Sequence, residues 1–378
     1  MVCRVLGRAH ARGYCLSSQH CILLTGATGL IGGELLPLLL SEPGNKVWAL
    51  VRPDGISDAD SRLAARVQRG NTSGLEIAWD RLTGVAGDLT VDHLGMAPDD
   101  RRAVASSVDT ILHCAAETSF IRDEGCRRIN VDGMAHLIEF ARSCRKPPRF
   151  VYISTATVCG AVRDMHVTED DARDGGPDHH NEYTRTKALA ERMLRESGLD
   201  YLILRPSITI SAGMSDRVFA SAIMWFLPLL NRLDAIPIDP AGRLDVVTVA
   251  YVAQAIVAAL NAENRRHDCY HISAGRESLT LGRAARFLDA YYGRSEPLEL
   301  VPAHLWTRDM HRQYVRTPEQ RKTFATLKHY LPFLNMNVTY DNGRLRELLG
   351  DAMPRLEPFE SYAGDLLEII SPELLPRG

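Results

Sequence analysis

An apolar run, Cys21-Ile-Leu-Leu-Thr25, leads directly into Gly26-Ala-Thr-Gly29-Leu-Ile-Gly32-Gly33, and the helical pattern Glu34 to Leu40 follows. Strand, glycine turn and helix in this succession constrain the fold more than any other feature of the chain. Glycines also mark ordinary turns, so the spacing gains its meaning from lying between a strand and a helix. Gly26 frees a tight turn, Gly29 lets backbone N–H groups approach a diphosphate, and Gly32 permits close packing of helix on strand. The helix N-terminus turns its positive end toward the phosphates. The segment reads as a dinucleotide cradle, with Gly26, Thr28, Gly29, Leu30, Ile31 and Gly32 around the cofactor.

Short apolar runs recur at 47–51, 82–86, 108–114, 150–154 and 201–204, with helix-like stretches between most of them. Alternation of this kind predicts an α/β fold, a parallel sheet covered on both faces by helices with right-handed crossovers. Six strands in the order 3-2-1-4-5-6 make one doubly wound Rossmann sheet whose ligand sits outside the carboxyl ends. The expected division is a tail over residues 1–20 and a NAD(P)-binding domain over 21–210, to which 245–275 returns. Residues 211–244 and 276–378 are expected to form a smaller, mainly helical substrate-binding lobe. Within 246–260 the pattern is a strand-like entry followed by a buried helix, and the last hundred residues show few β signals.

Composition removes several function classes. A formal net charge of -3 over 378 residues, with no dense Lys/Arg run, gives no reason to expect nucleic acid. Eight cysteines are scattered singly, without C-x-x-C pairs or a metal-spaced His cluster, which predicts a reduced, cytoplasmic protein with no metal. His179-His180 alone reads as a solvated loop pair. No segment reaches the roughly 18 uninterrupted apolar residues of a membrane span. The first twenty residues, basic and without acid, read as a tail or upstream start.

Cofactor choice turns on the end of the second strand, Ala49-Leu-Val-Arg52. An arginine there accommodates a 2′-phosphate, whereas an acidic residue takes the ribose hydroxyls of NAD. Arg52 therefore favours NADPH over NADH, with Asp54 as the competing NAD ligand. Tyr183-Thr-Arg-Thr-Lys187 opens a strongly helical stretch and places a phenol and an ammonium on one helix face. A cation there would lower the tyrosine pKa, as a proton donor to a carbonyl requires. Thr155, at the end of the fifth strand, would face the cofactor and hydrogen-bond the same carbonyl oxygen. Ser154 competes for that role, and strand alternation would let only one of the two point into the site.

These runs, with Gly87-Asp-Leu89, HCAA at 113–116, FVYISTATVCG at 150–160 and Leu204-Arg-Pro-Ser207, resemble the extended short-chain dehydrogenase/reductases. Within that superfamily, GDLTVDHLG at 87–95, HCAAETSF at 113–120 and the segment 329–350 resemble fatty acyl reductases and the thioester reductase domains of carboxylic acid reductases and peptide synthetases. The resemblance implies that Thr155 and Tyr183 polarise and protonate the carbonyl while Lys187 also holds the nicotinamide ribose. It implies that Asp88 and Leu89 flank the adenine, that Ala115 and Ala116 line the dinucleotide, and that Pro206 to Ile208 meet the carboxamide. Asn130 matches an asparagine used near the active-site helix, or else is a loop-bridging amide. Cys159 stands where many sugar-nucleotide members have tyrosine.

The expected activity is an NADPH-dependent reductase delivering hydride to an acyl thioester or aldehyde, with a small-molecule or carrier-bound acyl substrate and an acyl carrier protein as the candidate partner. Thr118, Trp225 and Leu229 are the candidate substrate residues; the apolar run 218–230 suits an acyl channel or, more simply, core packing. One alternative is a hydroxysteroid-type or sugar-nucleotide dehydrogenase, epimerase or dehydratase. Another is a non-catalytic NADP-binding sensor, which would have little use for Tyr183 and Lys187 together.

Overall fold

A computed structural model describes residues 20–369 except 70, 72, 121, 174, 177, 212–225 and 329. Seven parallel strands form its central sheet: β1 (His20–Thr25), β2 (Asn45–Val51), β3 (Leu82–Ala86), β4 (Thr110–His113), β5 (Arg149–Ile153), β6 (Tyr201–Pro206) and β7 (Cys269–Ile272). Their order is 3-2-1-4-5-6-7. β1 pairs with β2 on one side and β4 on the other, Thr25 lying opposite both Leu50 and His113. Because the chain leaves β1 in one direction and returns in the other, a crevice opens at the carboxyl ends of β1 and β4.

Helices cover both faces, which is why the strands read as apolar runs rather than alternating ones. On one face α1 (Leu30–Ser41), α2 (Ala59–Arg69) and α6 (Val249–Asn261) close over a core that includes Leu35, Leu63 and Ile256. The other face packs α3 (Pro98–Ser107), α4 (Gly133–Ser143) and α5 (Glu182–Arg195) through Val104, Leu137 and Leu194. α6 follows a short strand, Val246–Thr248, which pairs in parallel with Ile208–Ile210. Thr248 caps the helix by accepting from the Tyr251 amide at 3.2 Å.

The seventh strand is absent from the sequence-based count of six. Cys-Tyr-His-Ile is only four residues long, and its His271 is fully buried, so no apolar run announces it. His271 is held instead by two tertiary contacts: its amide donates to Glu169 Oε1 at 3.0 Å and its Nδ1 lies 3.0 Å from the Asp341 carbonyl. Burial drives its imidazole down to about 3, so it stays neutral.

Beyond β7 the chain is mainly helical but pairs with earlier segments through two- and three-residue ladders that form small sheets of their own. Val338–Tyr340 pairs in parallel with Met165–Val167, and Leu279–Thr280 pairs antiparallel with Arg243–Leu244. Such short ladders carry no periodic signal. They nevertheless bring residues 333–340 over the carboxyl ends of the central strands.

Candidate active site

A cavity of about 680 Å³ runs along those carboxyl ends. Its walls include Gly26, Thr28, Gly29, Leu30, Ile31 and Gly32 from the β1–α1 turn, Arg52 after β2, Asp88 and Leu89 after β3, and Ala115, Ala116 and Thr118 after β4. Thr155, Tyr183, Pro206 and Ile208 complete it from the other half of the sheet.

The glycine turn is shaped as a cradle. Gly26 has φ +72°, and a Cβ on it would lie 2.6 Å from the Ala115 nitrogen. A Cβ on Gly32 would lie 2.2 Å from the Gly26 carbonyl oxygen. Gly29 is the N-cap of α1 and offers no side-chain cap, so the first-turn amides are left for an anion. These residues fit the diphosphate of a dinucleotide.

At the end of β2, Arg52 and Arg62 both line the cavity. The Arg62 guanidinium donates to the Arg52 carbonyl and lies 3.4 Å from Asp54 Oδ2. Asp54 is occupied within its own loop, accepting from the Ser57 and Ile56 amides at 2.8 and 2.9 Å. Those two bonds hold its carboxyl below the usual carboxylate range. It is not among the residues lining the cavity. Arg62, a helix residue ten positions after Arg52, escaped the sequence reading because only the fold brings the two together.

Past Ile153 the chain leaves the β5 ladder, and Thr155 becomes the N-cap of a 3-10 turn, Ala156–Cys159. Its Oγ1 accepts from the Thr157 amide at 3.3 Å and lies 2.9 Å from Thr157 Oγ1. Alternation therefore no longer applies, and Ser154 and Thr155 both line the cavity. Of the two, Thr155 is the one that acts on the Tyr183 phenol, opposing the rise of its pKa. Asn181 positions Tyr183 by capping α5, accepting from the Thr184 amide at 2.9 Å.

The lysine departs from expectation. Lys187 is buried, its Nζ donates to the Ile153 carbonyl at 2.7 Å, and it sits 4.2 Å above the Tyr152 ring. Burial lowers it to about 7, with Glu191 and Cys114 opposing the shift. The Tyr183 phenol is pushed up to about 12 by burial, partly offset by Thr155. In this structure, then, the cation one turn away does not outweigh desolvation of the phenol.

Asn130 lies within a π-helical stretch, Arg127–Asp132, and behind the wall rather than in it. Its side chain accepts from the Glu117 amide at 2.9 Å and donates to the Glu117 carbonyl and Thr186 Oγ1, each at 3.0 Å. It ties the loop after β4 to α5 as a bridging amide. Leu229 is likewise not in the cavity wall: it packs in the core with Leu227 and Leu230, since its helix Phe226–Leu230 turns these side chains inward. Trp225 lies outside the described residues. The far end of the cavity is lined instead by Phe120, Phe333, Met336, Val338 and Tyr340. Phe120 stacks on Phe333 at 4.9 Å between centroids and lies 6.3 Å from the Tyr183 ring.

Among the described residues no group of three His, Cys, Asp or Glu side chains is placed to hold a metal. Among them, no helix is long and apolar enough to cross a membrane.

Residues 24–256 match the male sterility protein family, an NAD-binding family. The chain is similar to a hybrid PKS-NRPS synthetase of Macrophomina phaseolina, 31% identical over 254 residues, which is 65% of this chain and 6% of that protein. It thus spans a small fraction of the length of this curated relative. Its fold is similar to the terminal R domain from the myxalamid PKS-NRPS pathway, with a TM-score of 0.77, 22% identity and coverage of 94% and 91% of the two chains. A thiolation-reductase di-domain from an archaeal non-ribosomal peptide synthetase is also similar, at TM-score 0.71 and 21% identity over 93% of this chain and 75% of that one.

Proposed function

The chain belongs to the male sterility protein family, NAD(P)H-dependent oxidoreductases of the extended short-chain dehydrogenase/reductase type, and from that premise we propose that it reduces a carrier-bound acyl thioester with NADPH. The observation that carries this reading is that Thr155 and Tyr183 line the same cavity as the glycine cradle. In this reading, residues 21–210 with 245–275 hold the cofactor and the remainder covers the acyl group.

NADPH, when bound, supplies the hydride. Arg52 and Arg62 would hold its 2′-phosphate, since both line the cavity while Asp54 is engaged within its own loop. Thr155 donates to the carbonyl oxygen and stabilises the charge that develops there. The Tyr183 phenol, protonated at neutral pH, gives its proton to that oxygen as hydride transfer turns it into an oxyanion, a step that its burial makes harder rather than easier. Lys187 is not in the cavity wall; its Nζ, bonded to the Ile153 carbonyl, would serve the nicotinamide ribose from beneath that wall. The C–S bond then breaks, and one acyl thioester, one NADPH and one proton yield one aldehyde, one thiol and NADP⁺. Similarity to a hybrid PKS-NRPS synthetase, and in fold to a thiolation-reductase di-domain of a non-ribosomal peptide synthetase, supports a carrier-bound substrate.

The test is to follow NADPH consumption against acyl thioesters of coenzyme A and of a carrier protein, with aldehydes and ketones in parallel. Equal amounts of aldehyde and free thiol per NADPH support the reading. Turnover of ketones or sugar nucleotides alone, with every thioester inert, overturns it.

A further inference from the structure

α1 carries a carboxylate, Glu34, on the face it buries, and a glycine, Gly33, in its interior. Neither is needed to line the cavity, and both cost something: a buried charge must be paired, and an interior glycine weakens a helix. Arg66 of α2 accounts for both. It and Glu34 are each at least 97% buried, with Arg66 Nη2 3.3 Å from Glu34 Oε1. A Cβ on Gly33 would lie 2.2 Å from Arg66 Nε, so the guanidinium rests directly on that glycine.

What the guanidinium holds is the first turn of α1. Its Nε donates to the Gly29 carbonyl at 3.1 Å and its Nη2 to the Leu30 carbonyl at 3.2 Å. In a trans peptide the C=O and the following N–H point in opposite directions. Fixing the Gly29 and Leu30 carbonyls from behind therefore fixes the Leu30 and Ile31 amides, and Leu30 and Ile31 line the cavity on the opposite side.

We propose that Arg66 is a positioning residue of the dinucleotide site: from behind the glycine turn it sets the amide planes that receive the diphosphate and contributes positive potential, which Glu34 attenuates. Glu34 makes the buried guanidinium tolerable and also weakens its pull on an anion. The two residues thus have opposite effects on cofactor affinity, although either replacement disturbs the same ion pair.

That opposition makes the test. NADPH binding is measured by fluorescence titration for Glu34→Gln, Arg66→Met and Arg66→Lys, alongside thermal unfolding without ligand. Adenosine 2′-monophosphate, which carries no diphosphate, serves as the control ligand. Glu34→Gln is expected to tighten NADPH by about three- to tenfold, in the range seen for charges at helix ends. Arg66→Met is expected to weaken it about tenfold or more, with Arg66→Lys in between, and the control ligand should change by less than about twofold in each folded variant. If Arg66→Met does not fold, Glu34→Gln decides alone. Glu34→Gln binding NADPH no more tightly than the parent, or both ligands weakening in step with thermal stability, overturns the proposal.

Discussion

At one end of the cavity the walls are main chain. The β1–α1 turn is packed so closely against Ala115 and on itself that a methyl group on Gly26 or Gly32 would overlap backbone. At the other end they are side chains, Phe120 and Phe333 stacked in front of Tyr183, contributed by segments more than two hundred residues apart. A backbone cradle tolerates no added atoms, whereas an aromatic wall can change volume without unfolding its supports. The dinucleotide end is therefore expected to fail abruptly under substitution and the aromatic end to shift its preference.

Gly32→Ala should show the abrupt failure. Its Cβ meets a backbone oxygen that cannot move alone, and overpacking of this kind reaches about 3 kcal/mol, roughly a hundredfold in NADPH affinity. Calorimetric titration would detect it, and near-normal binding would mean that the turn can relax.

Arg52→Ala should weaken NADPH about tenfold or more and leave NADH nearly unaffected, since a hydrogen bond to a charged group contributes about 1.5–3 kcal/mol. Arg62→Ala should do the same through its place beside Arg52. Equal losses with both cofactors would mark these arginines as supports of the loop rather than readers of the 2′-phosphate.

At the aromatic end, Phe333→Ala should raise kcat/KM for bulky acyl groups relative to short ones by about tenfold, with NADPH affinity unchanged, because only the acyl side of the cavity is enlarged. A parallel loss on all chain lengths would show that the stack supports the site without selecting. Placing a charge at Leu229 should reduce activity only in step with thermal stability, as expected of a core position.

The same contrast explains what could be read before folding. The glycine turn, the strand ends and the Tyr183–Lys187 spacing are local, so their residue types carry the signal within a few positions. Arg62 and Arg66 needed α2 to be placed against β2 and α1. Phe333 and Met336 needed the three-residue ladder Val338–Tyr340, which no periodicity reveals. Ser154 and Thr155 could not be separated by alternation because the ladder ends at Ile153 and a 3-10 turn begins. The lysine was legible as a partner of Tyr183, but its ionisation was not, because burial over Tyr152 and beneath the sheet end is a tertiary property.

The central claim is that Tyr183 gives its proton to the reacting oxygen while the glycine cradle holds the cofactor independently. Tyr183→Phe removes one hydroxyl and leaves the cradle, Arg52 and Lys187 in place. The most direct measurement is kcat for reduction of an acyl thioester or aldehyde by this variant, paired with its Kd for NADPH. A fall in kcat of about 10² to 10⁴ with Kd within about twofold of the parent is the expected result. A variant that binds NADPH normally and reduces the same substrate at near the parent rate would contradict it.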